Sequence, residues 1–214
     1  MVRNQVRVVG VADEKILGAM LEITRHDFVI EKFKSVAYSD SELPISETRL
    51  IARPKMIAKL LELSKINSND NVLEIGCGTG YASHLISMIA KSIVGDDNCK
   101  KIISSAKKLI GDRQNISFLY QDFKKLSIEA ATSLIIVNGA VFDKRSDFST
   151  IQDKSDLFDF HSAMLIDDLI SKMPKDCRLI SVEGYYKYHP MHVVRYTKDS
   201  REVLDQVYFP AITV

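Results

Sequence analysis

The stretch Leu73-Glu74-Ile75-Gly76-Cys77-Gly78-Thr79-Gly80-Tyr81 constrains the fold more than any other part of the chain. A short buried-strand candidate, residues 72–75, runs into three glycines at alternate positions. Residues 81–90 then follow with helical character. Alternating glycines let the backbone turn sharply and let a ligand lie against it without Cβ interference. Strand, glycine turn and helix in that order place the loop at the carboxyl end of a first parallel strand, where open α/β sheets bind ligands.

The grammar continues downstream. Strands are expected at 92–95, 116–120, 134–137 and 178–182, with helices at 99–110 and 161–173 between them. Alternation of this kind implies βαβ units and a mostly parallel sheet. The tail differs, because 191–198 and 203–209 read as paired strands with no helix between, which fits an antiparallel end. Upstream, Ile16, Leu17, Met20, Leu21 and Ile23 recur at helical spacing within 12–24. A polar segment spans Ala37 to Arg53. Pro54 then opens a second helical pattern, suiting a first turn where its missing N–H is not needed.

The loop spacing is GxGxG. It is neither the GxGxxG of a dinucleotide site nor the Lys-Ser/Thr-ending phosphate loop, so the ligand need not carry a pyrophosphate. The second strand ends in Asp96-Asp97, about 20 residues past the loop, where a carboxylate can accept both hydroxyls of a ribose. Asp122 follows the third strand and can accept from an adenine amino group. Glycine loop, ribose acid and adenine acid describe an adenosine pocket without phosphates, which S-adenosylmethionine fits. Each acid taken alone also reads as a solvated loop residue. Cys77 and Met173 read as packing residues and His84 as a surface residue.

Composition narrows the function classes. Lys and Arg number 29 against 28 Asp and Glu, so the basic excess of a phosphate-backbone binder is missing. No apolar run approaches the roughly 20 residues of a membrane span, and the first residues show no signal-peptide hydrophobic region. Cys77, Cys99 and Cys177 are too few and too scattered for a disulfide framework, and no CxxC pair suggests zinc. The expectation is a cytoplasmic monomer with no metal and no nucleic-acid or membrane partner.

Further motifs carry a resemblance. Thr24-Arg25-His26-Asp27-Phe28-Val29 matches an R-x-x-F-V segment and Ala37-Tyr38-Ser39-Asp40-Ser41-Glu42-Leu43-Pro44-Ile45 an AYxDxxLPI segment. Ile51-Ala52-Arg53-Pro54 stands in the place of I-S-x-P, and Val207-Tyr208-Phe209-Pro210 resembles a closing V-x-F-V-P. With the glycine loop, these make the chain similar to the protein-L-isoaspartate O-methyltransferases, within the class I S-adenosylmethionine-dependent methyltransferases. The resemblance implies an α/β, Rossmann-like, doubly wound and mostly parallel seven-stranded sheet with an antiparallel C-terminal end. It implies one domain over 1–214, with 1–66 a helical cover of the substrate cleft and 67–214 the core. S-adenosyl-L-methionine would be the cofactor, and isoaspartyl-containing peptides or damaged proteins the substrate. By the same resemblance Gly76, Cys77, Gly78, Thr79 and Gly80 cradle the cofactor and Glu74 positions its methionyl end. Asp97 takes the ribose and Asp122 meets the adenine.

Three departures stand on the substrate side. Ala52 replaces the family's substrate-facing serine, and Leu50 replaces a threonine common just before it. The connection through Asp143 to Asp159 exceeds the family's by roughly 15 to 20 residues, a length usual in functional or mobile loops. Arg53 or Arg49 could anchor a substrate carboxylate in place of the serine. The alternatives are a homologue with a changed substrate and a cofactor-binding protein without turnover.

Overall fold

A computed structural model describes residues 1–46, 49–121, 125–142, 160–184 and 191–207 of the 214-residue chain. Short helical turns occupy Val2–Val6 and Arg7–Val9, and α1 follows at Glu14–Glu22. Asp13 caps α1 by accepting from the Lys15 and Ile16 amides, which satisfies donors that a first turn leaves free. Two 3₁₀ turns, Arg25–Phe28 and Glu31–Val36, lead to a small hairpin of β1 (Leu43–Pro44) and β2 (Leu50–Ile51). The polar segment expected at 37–53 thus contains a strand pair. Helix α2 is Pro54–Leu63, with proline in its first turn as expected.

The main sheet is built from β3 (Asn71–Ile75), β4 (Ser92–Asp97), β5 (Ile116–Tyr120), β6 (Leu134–Phe142), β7 (Arg178–Gly184), β8 (Met191–Tyr196) and β9 (Arg201–Val207). Its order is β5-β4-β3-β6-β7-β8-β9. Strands β3 to β7 are parallel, and β8 and β9 are antiparallel. This is the seven-stranded, mostly parallel sheet with an antiparallel end that the strand pattern predicts. Helices α3 (Tyr81–Ser87), α4 (Lys100–Ile110) and α5 (Phe160–Lys172) make the crossovers.

Two strands run longer than their apolar cores suggest. Strand β4 continues through Asp96 and Asp97, which pair with Leu119 and Tyr120. Strand β6 continues to Phe142, after a shift of register between Ile136 and Ala140. The expected connection from Asp143 to Asp159, and Tyr208 to Pro210 of the closing motif, lie outside the described residues.

Strand alternation divides the core in two. Val72, Ile93, Leu134 and Ile136 pack with α1, α2, α3 and α4, in one cluster that also takes in Val6, Phe28 and Ile45. Leu73, Ile75, Ile135 and Val137 face the other way, onto Ile166, Leu169 and Met173. Met173 is the core residue expected.

At the amino ends of the strands the Arg178 guanidinium binds Asp70 with two nitrogens, at 2.9 and 2.7 Å. It also donates to the Ser64 and Lys65 carbonyls. Asp70 is buried and accepts from the Ser133 hydroxyl at 2.7 Å. One arginine therefore ties the end of α2 to the starts of β3, β6 and β7.

Candidate functional site

The glycine loop lies where the strand pattern places it, at the carboxyl end of β3 between β4 and β6. Gly76 and Cys77 donate to the Asp96 carbonyl at 2.8 and 3.0 Å, which pins the loop to β4. Gly76 has φ +80°, and an added Cβ would stand 3.1 Å from the Asn138 carbonyl. Gly78 has φ +55°, and an added Cβ there would stand 2.8 Å from Ile45 Cδ1. Both positions thus combine a left-handed backbone with a close approach, which glycine accommodates. The Thr79 hydroxyl donates to the Phe28 carbonyl at 2.8 Å. That bond joins the loop to the R-x-x-F-V segment.

The same segment is tied to the AYxD segment. Arg25 is fully buried, donates from Nε to the Ala37 carbonyl at 2.8 Å, and stacks 5.3 Å from the Tyr81 ring centre. Burial lowers its pKa to about 10. His84 departs from the surface role expected of it. It is half-buried near the Phe28 ring, and burial pushes its pKa down to about 4.

Two carboxylates, Asp97 and Glu74, lie behind the loop, and a third, Asp96, lies beside them in β4. Asp97 is buried, with Oδ2 accepting from Gly78 N at 3.3 Å and Oδ1 from Cys99 N at 2.9 Å. Glu74 is fully buried and accepts from the Ser83 hydroxyl and from Asn138 Nδ2, the latter at 2.7 Å. Burial pushes its pKa up to about 7 against those two bonds, and the nearby Asp97 charge adds to the rise. Asp96 faces the other side of the sheet. Burial first, and then the Asp97 charge, push it up to about 7. Cys77 is buried, and desolvation raises its thiol far above the usual range, so packing is its role.

These shifts predict a pH dependence. A carboxyl whose pKa rises on folding contributes stability that is fully present below its unfolded pKa and lost as pH climbs through the folded one. Starting from 4.5 for Glu74 and 3.8 for Asp96, with both reaching about 7, the ligand-free protein should lose Tm from about pH 4.5 to 7. Thermal scans across that range should show a flatter decline for Glu74→Gln. Equal slopes in the two proteins would refute the assignment.

A cleft opens against the loop. Leu50, Ala52 and Met56, from the hairpin and α2, line it together with Gly76, Gly78 and Asn138, from the glycine loop and β6. The expected substrate positions thus face the expected cofactor loop. Arg49 instead reaches toward Asp97, its Nε 3.9 Å from Oδ1, and donates to Asn98. Arg53 sits 3.6 Å from Glu42. Neither arginine lines the cleft. Asp122 lies outside the described residues.

Two site residues escape a reading from residue patterns. Ser83 meets Glu74 only because α3 packs back over β3. Asn138 carries a legible signal, since it is a polar residue directly after the apolar run 134–137, on the strand beside the glycine loop. Among the described residues, no group of three His, Cys, Asp or Glu side chains could hold a metal. No described helix is long and apolar enough to cross a membrane.

A family model for protein-L-isoaspartate(D-aspartate) O-methyltransferase (PCMT) matches residues 1–139. The chain belongs to this family. A protein-L-isoaspartate O-methyltransferase of Methanoculleus marisnigri is 40% identical over 108 residues, covering 50% of this chain and 49% of the relative. One from Koribacter versatilis is 33% identical over 146 residues, covering 67% and 66%. The chain spans about half the length of most of the curated relatives it matches.

Solved structures carry the fold of the family over almost the whole chain. A protein-L-isoaspartate O-methyltransferase superposes with TM-score 0.70 at 19% identity, over 98% of this chain and 64% of that one. A Plasmodium falciparum protein described as a beta-aspartate methyltransferase, in complex with S-adenosyl-L-homocysteine, gives 0.67 at 15%, over 99% and 96%. The PCMT match ends at Gly139, within β6 and one residue past Asn138. It therefore contains the glycine loop, Asp97 and the whole hairpin.

Proposed function

We propose that this chain is an S-adenosylmethionine-dependent O-methyltransferase acting on the α-carboxylate of isoaspartyl residues in altered peptides. The observation that carries the reading is the single cleft in which the glycine loop faces Leu50 and Ala52.

The residues suit the cofactor. Backbone at positive φ in Gly76 and Gly78 leaves room against the loop. Asp97 offers acceptors for two ribose hydroxyls, and Glu74 an acceptor behind the loop for the methionyl end. When bound, S-adenosylmethionine supplies an electrophilic methyl group on a sulfonium. The isoaspartyl α-carboxylate has a pKa of roughly 3.5 in water, so it is ionised at neutral pH. No general base is needed, and none is required of His84 or Cys77. The chain's work is to hold one carboxylate oxygen in line with the methyl–sulfur bond. The apolar residues Leu50, Ile51 and Met56 exclude water from that line.

Ala52 lacks the hydroxyl that would orient the carboxylate. A hydrogen bond to a charged group is worth about 1.5 to 3 kcal/mol. Turnover is accordingly slower than in a serine-bearing relative, and Ala52→Ser should raise kcat/KM by about tenfold. Steady-state assays on the two proteins check this, and an unchanged rate would remove Ala52 from the substrate contacts.

The reading is tested with labelled S-adenosylmethionine and a matched pair of peptides, one isoaspartyl and one aspartyl. Base-labile methyl incorporation into the isoaspartyl peptide alone is expected. Cofactor binding without incorporation would overturn the substrate assignment. The apolar wall at Leu50 and Ala52 favours, as the second reading, a carboxylate substrate with an apolar group beside it.

A further inference from the structure

We propose that Asn138 holds the substrate carboxylate in this chain, in the cleft that it lines together with Ala52. The inference rests on the isoaspartyl reading above and names the side chain that serves it.

Asn138 reaches the cleft by strand alternation: Leu134 and Ile136 pack on the same face as Val72, and two residues further on Asn138 meets Glu74 on that face. Strand β6 pairs in regular register with β7 from Leu134 to Ile136, then shifts before Ala140. Asn138 lies within the shifted stretch. Breaks of register of this kind are common next to active sites. Here the half-buried Asn138 side chain lines the cleft with Gly76 and Gly78.

The amide is also held in one orientation. Nδ2 donates to Glu74 Oε1 at 2.7 Å, and Glu74 is itself held by the Ser83 hydroxyl. Glu74 is fully buried, so this anchor does not wander. The bond uses one of the two amide hydrogens. The other has no acceptor among the described residues. An amide N–H fixed in this way is a preorganised donor for a carboxylate oxygen, with little orientation left to lose on binding.

Other polar side chains of the cleft are less suited. The Thr79 hydroxyl donates to Phe28. Cys77 is a weak donor and is buried. Tyr81 is only 1% exposed, so its hydroxyl lies beyond easy reach of a peptide. Arg49 and Arg53 point to Asp97 and Glu42. Asn138 is left as the donor that a carboxylate entering between Leu50 and Gly76 meets. With one carboxylate oxygen on this amide, the other is free to attack.

The test is isothermal titration of an isoaspartyl peptide into protein loaded with S-adenosylhomocysteine, so the readout does not depend on turnover. Asn138→Ala should weaken peptide binding by about 10- to 150-fold, with the affinity for S-adenosylhomocysteine close to that of the parent. Adding Ala52→Ser to Asn138→Ala should restore most of the loss, because a hydroxyl then lines the same cleft and can donate to the same carboxylate. Unchanged peptide binding in Asn138→Ala would overturn the assignment. So would a parallel loss of S-adenosylhomocysteine affinity, which marks a merely structural residue, or failure of the serine to restore binding. If the loaded parent protein binds S-adenosylhomocysteine but no isoaspartyl peptide, the substrate reading fails and this assignment falls with it.

Discussion

Replacing Asp97 with alanine is expected to weaken S-adenosylhomocysteine binding by about 10- to 150-fold. The estimate comes from hydrogen bonds between a carboxylate and two ribose hydroxyls. Two further consequences point the same way. Asp97 Oδ2 accepts from Gly78 N and Oδ1 from Cys99 N, so its loss also frees the centre of the glycine loop. It further removes the charge that Arg49 approaches at 3.9 Å from the hairpin. Asp97→Asn keeps the shape but loses an acceptor and the charge, and should fall between the two. Calorimetry on the three proteins decides the matter. Equal affinities would move the ribose away from β4.

Replacing Arg178 with alanine should cost about 3 kcal/mol of folding stability, or about 6 to 12 °C in Tm for a chain of this size. The figure is the lower end for breaking a buried pair, because the arginine side chain is 23% exposed while that of Asp70 is 4% exposed. The loss is that of a clasp on four chain segments, and it leaves a buried carboxylate short of donors. A pH signature identifies the cause. Burial alone would raise the Asp70 pKa, but hydrogen bonds from Arg178, Ser133 and the Asn67 amide outweigh it and hold the group below 3.8. A depressed carboxyl contributes stability above its unfolded pKa that disappears as pH falls through the folded one. The gap in Tm between the parent and Arg178→Ala should therefore narrow below pH 3.8. A gap that persists there would place the effect in packing instead.

The parallel core was legible because each strand carries its own local signal. Leu134 to Val137 is an unbroken apolar run, Val72 to Ile75 is interrupted only by Glu74, and Gly76, Gly78 and Gly80 mark where the chain must turn. Strand ends were less legible. Asp96 and Asp97 look like loop residues, yet backbone pairing with β5 carries the strand through them, and pairing does not depend on side-chain polarity. The hairpin at 43–51 has two-residue strands, too short for any periodicity. His84 misled because a lone polar residue on a helix reads as exposed, while Phe28, 56 positions away in sequence, packs beside it. Spacing from the glycine loop marked the Asp96-Asp97 pair, while Glu74 and the choice of Asp97 came only from the family resemblance. Asn138 and Ser83 were found by neither, since their meaning lies in a common partner, Glu74, that only the packing of β6 and α3 brings between them.

The bonds that run from the glycine loop into the first third of the chain bear on how this family can be recombined. Thr79 is joined to Phe28, Arg25 spans from Ala37 to Tyr81, and Ile45 seals Gly78. A chimera cut at the natural-looking boundary near residue 66 would separate each of these partners. A peptide-recognition front end borrowed from a relative would then arrive without the loop it was shaped against. Residues 25–81 are the smallest piece that keeps these three links, so a graft meant to change substrate should carry hairpin and loop together.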